Sequence, residues 1–278
     1  MKNVLAFCSI CFVAFTACGD DEMSPEMQTV EVSVRGVVGS ETFACGQSYT
    51  EVGTSSSTFE GRDFRMYLSD VRLVDSSGLE TPLELEQDGK WQDGSIVLLD
   101  FENGSGACEM GNADMNTTIR GQVPAAEYTG LRFILGVPFE RNHMDSALAA
   151  PPLNITAMFW NWLGGYKFLR VDGVTTGLPS WRLHLGSTGC EGDMMGNVTA
   201  CANPNRVEVE ISDFDPDNDT LVADLRALLA EADLETDQTE APGCMSNPQD
   251  EECAAYFSQL GLGFGQQAAK PQVFFHRE

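Results

Sequence analysis

The sequence predicts a mainly β protein, an antiparallel β-sandwich or barrel-like domain that ends in a short, disulfide-stapled helical part. Three observations support this fold class. Apolar and polar residues alternate in short runs over the first two thirds of the chain. Gly, Pro, Asn and Asp separate these runs, as is typical of turns between strands. Helical spacing of apolar residues occurs only near the C-terminus, where the last two cysteines also lie.

The strand candidates follow one another at short intervals. In the first, every second residue from Val30 to Val34 is a valine, and polar residues stand between them. The other candidates cover residues 64–73, 95–101, 117–123, 131–137, 166–171, 181–185 and 207–211. The 64–73 run departs from strict alternation, which indicates a bulge. Gly78 and the pair Asp88-Gly89 supply turns between strands.

Two helices are expected late in the chain. The first is indicated by four leucines that form one apolar stripe at helical spacing, namely Leu221, Leu225, Leu228 and Leu229. Asp219 or Thr220 would cap its N-terminus. A second, short helix is expected over residues 252–260, next to the last cysteine.

The N-terminus has the pattern of an export signal. Lys2 supplies a positive charge, and residues 4–15 form an apolar run too short to span a bilayer. The run ends in Phe15-Thr16-Ala17-Cys18, which resembles the lipobox of bacterial lipoproteins. This predicts a lipoprotein signal peptide (1–17), a lipid-anchored Cys18, an acidic tether (18–28) and one domain (29–278). An ordinary signal peptide cleaved nearby is the alternative.

These features predict a protein of the cell envelope, an outer-membrane lipoprotein that faces the periplasm or the cell surface. The formal net charge is −26, and the Lys and Arg residues are not clustered. Nucleic acid is therefore not an expected partner, and contact with the membrane is expected only through the lipid anchor. The negative charge fits a metal ion, a cationic partner or simple solubility.

The chain has nine cysteines, of which two leave with the signal peptide and Cys18 carries the lipid. The remaining six are expected to form disulfides, because an exported domain folds in an oxidising compartment. The short local spacings favour Cys190–Cys201 and Cys244–Cys253, and Cys45–Cys108 would close a longer loop. No Cys-x-x-Cys or His-rich cluster is present among the six, so neither a zinc ribbon nor a thioredoxin-like redox site is expected.

Only three histidines occur in the chain. His276 is close to the C-terminus and is expected to be inert. His143 lies in a loop that follows a strand, and His184 lies within the 181–185 strand, on the face opposite Trp181. From residue type alone, both fit either a hydrogen-bonded structural role or a metal-ligand role.

An aromatic segment lies between these two histidines. If it is extended, Met158, Trp160 and Trp162 line one face. Such a stripe fits either a core aromatic ladder or a sugar-binding platform. The residues alone therefore indicate an exported β domain and do not decide its ligand.

Neither catalysis nor calcium binding is expected. The chain has no Gly-x-Ser-x-Gly elbow and no His-Glu-x-x-His motif, so we do not expect an enzyme. Residues 215–219 resemble the start of a calcium loop. However, Thr220 stands where the loop needs Gly, and Arg226 stands where it needs a bidentate Glu. An acidic loop that caps the next helix is the better interpretation.

Several motifs, in a fixed order, resemble a known family. They are Pro138-Phe139-x-x-Asn142-His143-x-Asp145, Pro152-Leu153-Asn154, Met158-x-Trp160-x-Trp162-x-x-Gly165-Tyr166-Lys167-Phe168, His184-Leu185-Gly186-Ser187-Thr188-Gly189-Cys190, Cys201-x-Asn203-Pro204-Asn205 and Pro242-Gly243-Cys244-Met245. Together they resemble the metallo-mystery pair system four-Cys motif proteins, relatives of the copper-binding partner protein encoded beside methanobactin. The similarity covers nearly the whole chain from about Val30 onward. The family name counts four cysteines, whereas six remain here.

The resemblance implies a copper-binding protein that acts in scavenging, storage or delivery. It also implies a partner, a di-haem cytochrome of the cytochrome c peroxidase type, which oxidises a tryptophan of the binding protein to kynurenine. The modified residue lies at or near a copper site that also uses histidines. Carried over to this sequence, His143 and His184 are the ligand candidates, and either Trp160 or Trp162 is the oxidation candidate.

Further donors are available near these residues. Met158 and Met144 could act as soft auxiliary ligands, although methionine more often fills gaps in a core. Asp145 could orient His143 by accepting a hydrogen bond from its second ring nitrogen.

Two other functions compete with copper binding. One is a carbohydrate- or peptide-binding surface lipoprotein that uses Trp160, Trp162 and Tyr166 as a stacking platform. The other is a purely structural envelope lipoprotein.

Overall fold

The computed structural model describes residues 25–193, 196–237 and 241–278. The predicted signal peptide and Cys18 lie outside these residues. The first strand begins at Met27, within the interval 18–28 that the sequence assigns to the tether. Within the described ranges, no helix is long and apolar enough to cross a membrane.

The described residues form mostly strands. In chain order these are β1 (Met27–Val38), β2 (Glu41–Thr42), β3 (Ser48–Val52), β4 (Ser57–Asp75), β5 (Glu80–Pro82), β6 (Glu84–Leu85), β7 (Gln92–Asp93), β8 (Ile96–Asp100), β9 (Thr118–Pro124), β10 (Tyr128–Leu135), β11 (Phe159–Asn161), β12 (Gly165–Tyr166), β13 (Leu169–Thr175), β14 (Trp181–Leu185), β15 (Thr188–Gly192), β16 (Val198–Asn203), β17 (Val207–Ser212), β18 (Thr220–Asp224), β19 (Gly243–Cys244) and β20 (Phe275–Arg277). The α-helices are α1 (Phe139–Asn142), α2 (Leu225–Leu228) and α3 (Cys253–Leu260). Short 3-10 turns occur at Gly106–Cys108 and Thr156–Met158.

The strands form two large sheets and two separate hairpins. One sheet has the order β20-β18-β1-β9-β6, with β2 beside β1. The other has the order β17-β10-β4-β13-β14-β19, and β3, β5 and β8 also pair with β4. The hairpins are β11–β12 and β15–β16. Most pairings are antiparallel, as predicted, but β1 pairs with β18 and β14 with β19 in parallel.

The two large sheets pack face to face, which confirms the sandwich. Alternate side chains of β1 are buried, including the valines that predicted this strand. Gly36 of β1 lies against the ring of Phe64 in β4, where a Cβ would come within 2.8 Å of Cε1. Between β10 and β20, the rings of Phe133 and Phe275 meet edge to face at 5.0 Å. The core therefore lies between the sheets.

The predicted strands are present, and two of them differ in detail. The 64–73 strand is part of β4, and a register shift against β10 beside Asp70 (φ 52°) confirms the irregularity. The 166–171 strand divides into β12 and the start of β13. The reason is a change of partner, because Lys167 N–H donates to Met158 O while Phe168 N–H donates to Leu185 O.

The helix expected over the leucine stripe is mostly a strand. Residues Thr220–Asp224 form β18, which lies between β1 and β20 and buries Leu221. Only Leu225–Leu228 are helical, and Asp224 caps this turn by accepting a hydrogen bond from Arg226 N–H. The prediction of Asp219 or Thr220 as the cap is therefore wrong. Pairing with two neighbouring strands overrides the local helical period.

The C-terminal part has the predicted helix and its staple. Helix α3 spans Cys253–Leu260 and ends at Gly261, which adopts the left-handed conformation (φ 81°). The disulfide Cys244–Cys253 ties its first turn to β19 at the sheet edge. The other two predicted disulfides, Cys45–Cys108 and Cys190–Cys201, are also present.

The acidic loop at residues 215–219 is a turn held together by its own side chains. The carboxylate of Asp215 accepts hydrogen bonds from Asp217 N–H and from the Asn218 amide. The carboxylate of Asp219 accepts the N–H of Asp215 and faces Arg277. The loop precedes strand β18, so it caps no helix, contrary to the sequence-based interpretation.

Candidate metal centre

His143 is positioned by a short helix and by the tip of a hairpin. It follows helix α1 directly, and its ring meets the ring of Phe139 edge to face at 5.2 Å. The hairpin β11–β12 carries Trp162 at its tip. Asn161 shapes this tip, because its side-chain oxygen accepts hydrogen bonds from the N–H groups of Leu163 and Gly164. The turn presents the Trp162 carbonyl to His143.

The hydrogen bonds of His143 define its tautomer. Nδ1 lies 3.0 Å from the carbonyl oxygen of Trp162, which can only accept, so Nδ1 carries the proton. Nε2 is then unprotonated, and it lies 3.2 Å from the Asn142 amide nitrogen. Burial lowers the pKa of His143, and the bond to Trp162 only partly opposes this effect. The ring is therefore neutral at pH 7 and has a lone pair on Nε2.

Asn142 fixes the surroundings of that lone pair. Its side-chain oxygen accepts the N–H of Tyr166 at 2.9 Å, which sets the orientation of the amide. The amide nitrogen therefore faces His143 Nε2, and it also lies 3.4 Å from the Ser187 hydroxyl. Asn142 belongs to one of the sequence motifs, but the sequence does not indicate its role. Its burial directly before an exposed loop is the signal that sequence alone could not show.

A disulfide lies beside the same nitrogen. Sγ of Cys201 is 3.4 Å from His143 Nε2, and Cys201 is bonded to Cys190 across the hairpin β15–β16. The indole of Trp162 packs on the same hairpin, where a Cβ on Gly192 would lie 2.9 Å from Cζ3 of the ring. His143, Trp162 and this disulfide thus form one cluster at the surface.

Trp160 occupies a different position from Trp162. Its ring lies on Gly186, where a Cβ would come within 2.5 Å of Cζ3, and it also contacts Gly164. Its Nε1 is buried and has no hydrogen-bond partner among the described residues. Trp160 lines a mostly apolar cavity of about 550 Å³ together with Cys190 and Met245. Trp162, in contrast, is 39% exposed.

His184 is held by an acidic residue on the neighbouring strand. Its Nε2 lies 2.6 Å from Oδ1 of Asp172, and its buried Nδ1 has no hydrogen-bond partner among the described residues. Burial lowers the pKa of His184, and Lys167 and Arg170 add to this, while Asp172 opposes it. The ring is neutral, with its proton on Nε2 and a lone pair on Nδ1.

A network of charged residues surrounds His184. Arg170 pairs with Asp172 at 2.6 Å and with Asp63 at 3.2 Å, and Asp63 also pairs with the buried Arg65. Burial lowers the pKa of Lys167 to about 8, and Arg170 acts in the same direction. The carboxylate of Asp172, which is hydrogen-bonded to the ring, offsets these cations at His184.

The structure does not join the two histidines. Within the described residues no hydrogen bond links them, and their neighbours differ. Each nevertheless has the arrangement typical of metal-ligating histidines, in which one N–H is fixed by an oxygen acceptor and the other nitrogen carries the lone pair, although the lone pair of His143 faces the Asn142 amide. An unpartnered buried nitrogen such as Nδ1 of His184 fits this role. Both residues therefore fit a metal, each in its own surroundings.

The other residues singled out from the sequence have varied positions. Met158 is fully buried in the core, whereas Met144 is 45% exposed. Asp145 does not orient His143, because its carboxylate accepts Ala147 N–H and the Trp162 carbonyl holds the ring instead. Tyr166 is buried, and its hydroxyl donates to Leu153 O at 2.5 Å. An exposed platform of three rings is therefore not formed.

The fold and the site define a class, a disulfide-stapled β-sandwich with two neutral histidines, one of them beside an exposed indole. The family model described as MbnP matches residues 27–246, so the chain belongs to the MbnP family. The solved structure of MbnP from Methylosinus trichosporium is similar, with 29% identity over 91% of this chain and 98% of that chain and a TM-score of 0.80. No curated protein matches the chain. Membership in the MbnP family confirms the resemblance to methanobactin-associated proteins that the sequence motifs predict.

Proposed function

We propose that this protein binds copper through His143 and His184 and acts in copper scavenging, storage or delivery. The observation that carries the proposal is the state of the two rings. Each is neutral, donates one N–H to a fixed oxygen acceptor and keeps its other nitrogen unprotonated. Membership in the MbnP family supports copper as the ion.

The donor set supports copper over other ions. Imidazole nitrogens suit copper, which outcompetes other first-row divalent ions at a given nitrogen site. The six cysteines of the described residues are all in disulfides, so they offer no thiolate while oxidised. The formal charge of −26 favours the approach of a cation.

Copper titration in competition with a chelator tests this proposal. We expect His143→Ala and His184→Ala each to weaken copper binding about tenfold or more, the range seen when a metal site loses part of its support. His276→Ala is the matched control, because His276 is exposed on strand β20. If both variants keep the stoichiometry and affinity of the parent, the proposal is wrong.

A modified tryptophan and a partner protein complete the proposal. The partner is a di-haem cytochrome of the cytochrome c peroxidase type, and the protein is its substrate rather than an enzyme itself. Trp162 is the residue to be oxidised to kynurenine, since its ring is exposed and its carbonyl holds His143. Opening of the indole and loss of the formyl carbon leave an aromatic amine, a nitrogen donor that indole lacks.

Intact and peptide mass measurement tests the modification. Protein produced together with the cytochrome is expected to gain about 4 Da, the difference between tryptophan and kynurenine. The gain should map to the peptide that contains Trp162, disappear in Trp162→Phe and persist in Trp160→Phe. An unchanged mass in the co-produced protein would contradict the modification, and a gain that maps to Trp160 would contradict the choice of residue.

The location of the protein is also a proposal. Three disulfides are stable in an oxidising compartment, which supports export. We propose that residues 1–17 are removed, that Cys18 carries the lipid anchor, and that the protein lies at the outer membrane, facing the periplasm or the cell surface. Fractionation of cells that produce Cys18→Ala checks this, because loss of the anchor should move the protein from the membrane fraction to the soluble envelope fraction.

A further inference from the structure

We infer that the Cys190–Cys201 disulfide and His143 form a latent metal site, which opens on reduction of the disulfide and takes a thiophilic ion such as Cu(I) or Zn(II). The inference shares His143 with the proposed copper site. It does not depend on copper binding by the oxidised protein, and the tests of the two are separate.

The three ligand atoms are already close together. His143 Nε2, Cys190 Sγ and Cys201 Sγ all lie within 4.8 Å of one another, and Nε2 is 3.4 Å from Sγ of Cys201. In a tetrahedral site with metal–sulfur bonds of about 2.3 Å and metal–nitrogen bonds of about 2.0 Å, sulfur and nitrogen are about 3.5 Å apart. His143 therefore already has the spacing of a ligand to Cys201. Only the two sulfur atoms must separate.

The nitrogen that faces the sulfur is the one able to coordinate. Nδ1 of His143 donates its proton to the Trp162 carbonyl at 3.0 Å, so the lone pair is on Nε2. The contact that a metal would replace there is the one to the Asn142 amide at 3.2 Å. The Trp162 carbonyl would remain in place as the acceptor that orients the ring.

This disulfide is the most accessible of the three. Cys190 and Cys201 are both partly exposed, on a two-stranded hairpin that is separate from the large sheets. In contrast, Cys244 and Cys253 are both buried, and only one half of Cys45–Cys108 is partly exposed, because Cys108 is buried. A reductant therefore reaches Cys190–Cys201 first, and exposed disulfides are also the more readily reduced.

The hairpin has other contacts that hold it in place without the disulfide. Strands β15 and β16 pair from Thr188 with Asn203 onward, and the Asn203 amide lies 3.3 Å from the Thr188 hydroxyl. At its base, the Ser187 hydroxyl donates to the Pro204 carbonyl at 2.9 Å. These bonds keep the two thiols near His143 after reduction.

The chemistry balances with a dithiol as the reductant. One thiolate of the dithiol attacks a cystine sulfur and releases the other cysteine as a thiolate. The second thiolate of the dithiol then attacks the mixed disulfide, closes the reductant's own disulfide and releases the remaining cysteine. The dithiol loses two electrons and becomes a disulfide, while Cys190 and Cys201 gain those electrons and one proton each. A metal ion that binds the two sulfurs as thiolates releases these two protons. Two thiolates and one imidazole then favour soft ions over the hard oxygen-seeking ones.

Cobalt(II) is the probe for this site, because its spectrum reports both thiolate ligation and tetrahedral geometry. The folded protein is reduced mildly with dithiothreitol, freed of it without oxygen, and assayed for thiols. We expect two thiols per chain, mapped by alkylation to Cys190 and Cys201. Added cobalt should produce sulfur-to-cobalt charge-transfer absorption and intense visible bands, both lacking in the oxidised protein.

Variants separate the contributions of the three ligands. His143→Ala is expected to release the same two thiols but to weaken cobalt binding about tenfold, whereas His276→Ala should match the parent. The double variant with Cys190→Ser and Cys201→Ser should show no charge-transfer absorption. If that variant fails to fold, the parent protein is reduced and alkylated at both thiols, and it then serves as the control that lacks thiolate ligands.

Three results would overturn the inference. The first is two free thiols at Cys190 and Cys201 with no charge-transfer absorption on adding cobalt. The second is a His143→Ala variant that binds cobalt as tightly as the parent and with the same spectrum. The third is release of thiols from Cys45–Cys108 or Cys244–Cys253 in place of Cys190–Cys201. None of these results bears on copper binding by the oxidised protein, which the titration above measures separately.

Discussion

We expect Asp172→Ala to destabilise the protein, and the contacts of the Asp172 carboxylate determine the size of the effect. The Asp172 side chain is 17% exposed, and its two oxygens serve different partners. Oδ1 lies 2.6 Å from His184 Nε2, and Oδ2 accepts hydrogen bonds from Arg170 Nε at 3.0 Å and Nη2 at 2.6 Å. Truncation to alanine therefore removes three hydrogen bonds and leaves the buried His184 N–H without an acceptor.

The cost follows from this loss of partners. Removal of one member of a buried charged pair typically costs about 3–5 kcal/mol. Arg170 keeps its pairing with Asp63, but the buried His184 N–H loses its acceptor. We expect Asp172→Ala to lower the free energy of unfolding by about that amount, a large part of a total that is typically about 5–15 kcal/mol. Asp172→Asn is the matched control. It keeps an oxygen acceptor for His184 and loses the charge, so it should cost about 1–3 kcal/mol.

The effect should depend on pH in a defined direction. Burial raises the pKa of Asp172, but the hydrogen bond from His184 and the charge and hydrogen bonds of Arg170 outweigh burial and bring the pKa below its usual range. A carboxylate with a lowered pKa in the folded state stabilises the protein above its unfolded pKa of about 3.9, and this contribution is lost as the pH falls below that value. Parent and variant should therefore differ most at neutral pH.

Urea unfolding under non-reducing conditions at pH 7, followed by circular dichroism, measures these differences. Equal denaturant dependence in parent and variant would show that the same surface is exposed on unfolding. A loss below about 1 kcal/mol for Asp172→Ala, in the range of an exposed ion pair, would refute the reasoning. A larger loss for Asp172→Asn than for Asp172→Ala would refute it as well.

Three further substitutions test other parts of the structure. Gly186→Ala places a Cβ 2.5 Å from Trp160 Cζ3, so it should cost about 1–3 kcal/mol, and an unchanged urea midpoint would contradict this packing. Burial, with Glu102 adding to it, raises the pKa of Asp100 to about 7. The folded state therefore holds a proton between about pH 4 and pH 7 that the unfolded state has lost, and stability falls as the pH rises through this window. Asp100→Asn should flatten that slope in urea unfolding measured from pH 5 to pH 8, and an unaltered slope would exclude Asp100 as its source. Asn142→Ala should cost about 1–3 kcal/mol, and calorimetry that shows no shift in melting temperature would contradict its role.

Local patterns were sufficient to predict most of the fold. The alternation from Val30 to Val34 predicts β1, because one face of that strand lies on the core. The short spacings of Cys190–Cys201 and Cys244–Cys253 predict pairs that the structure contains. The stripe from Leu221 to Leu229 misleads, since the first half of it is a strand that pairs with β1 from a distant part of the chain. Local spacing carries no information on such a partner.

The site was only partly predictable for the same reason. The sequence identifies His143 and His184 as the histidines to consider, but it does not show which groups hold them. The Trp162 carbonyl and the Asp172 carboxylate reach the rings through hairpin and sheet geometry. Asp145 lies only two residues from His143, so local spacing favours its carboxylate as the acceptor for the second ring nitrogen of His143. The structure uses a backbone group from the neighbouring hairpin instead.

The most direct test of the central claim is a crystal structure of the copper-loaded protein with anomalous data at the copper edge. The proposal predicts copper peaks about 2 Å from Nε2 of His143 and Nδ1 of His184, the two unprotonated nitrogens, with the Trp162 carbonyl and Asp172 still on the opposite nitrogens. Copper found only away from both histidines, for example on the acidic loop at residues 215–219, would contradict it.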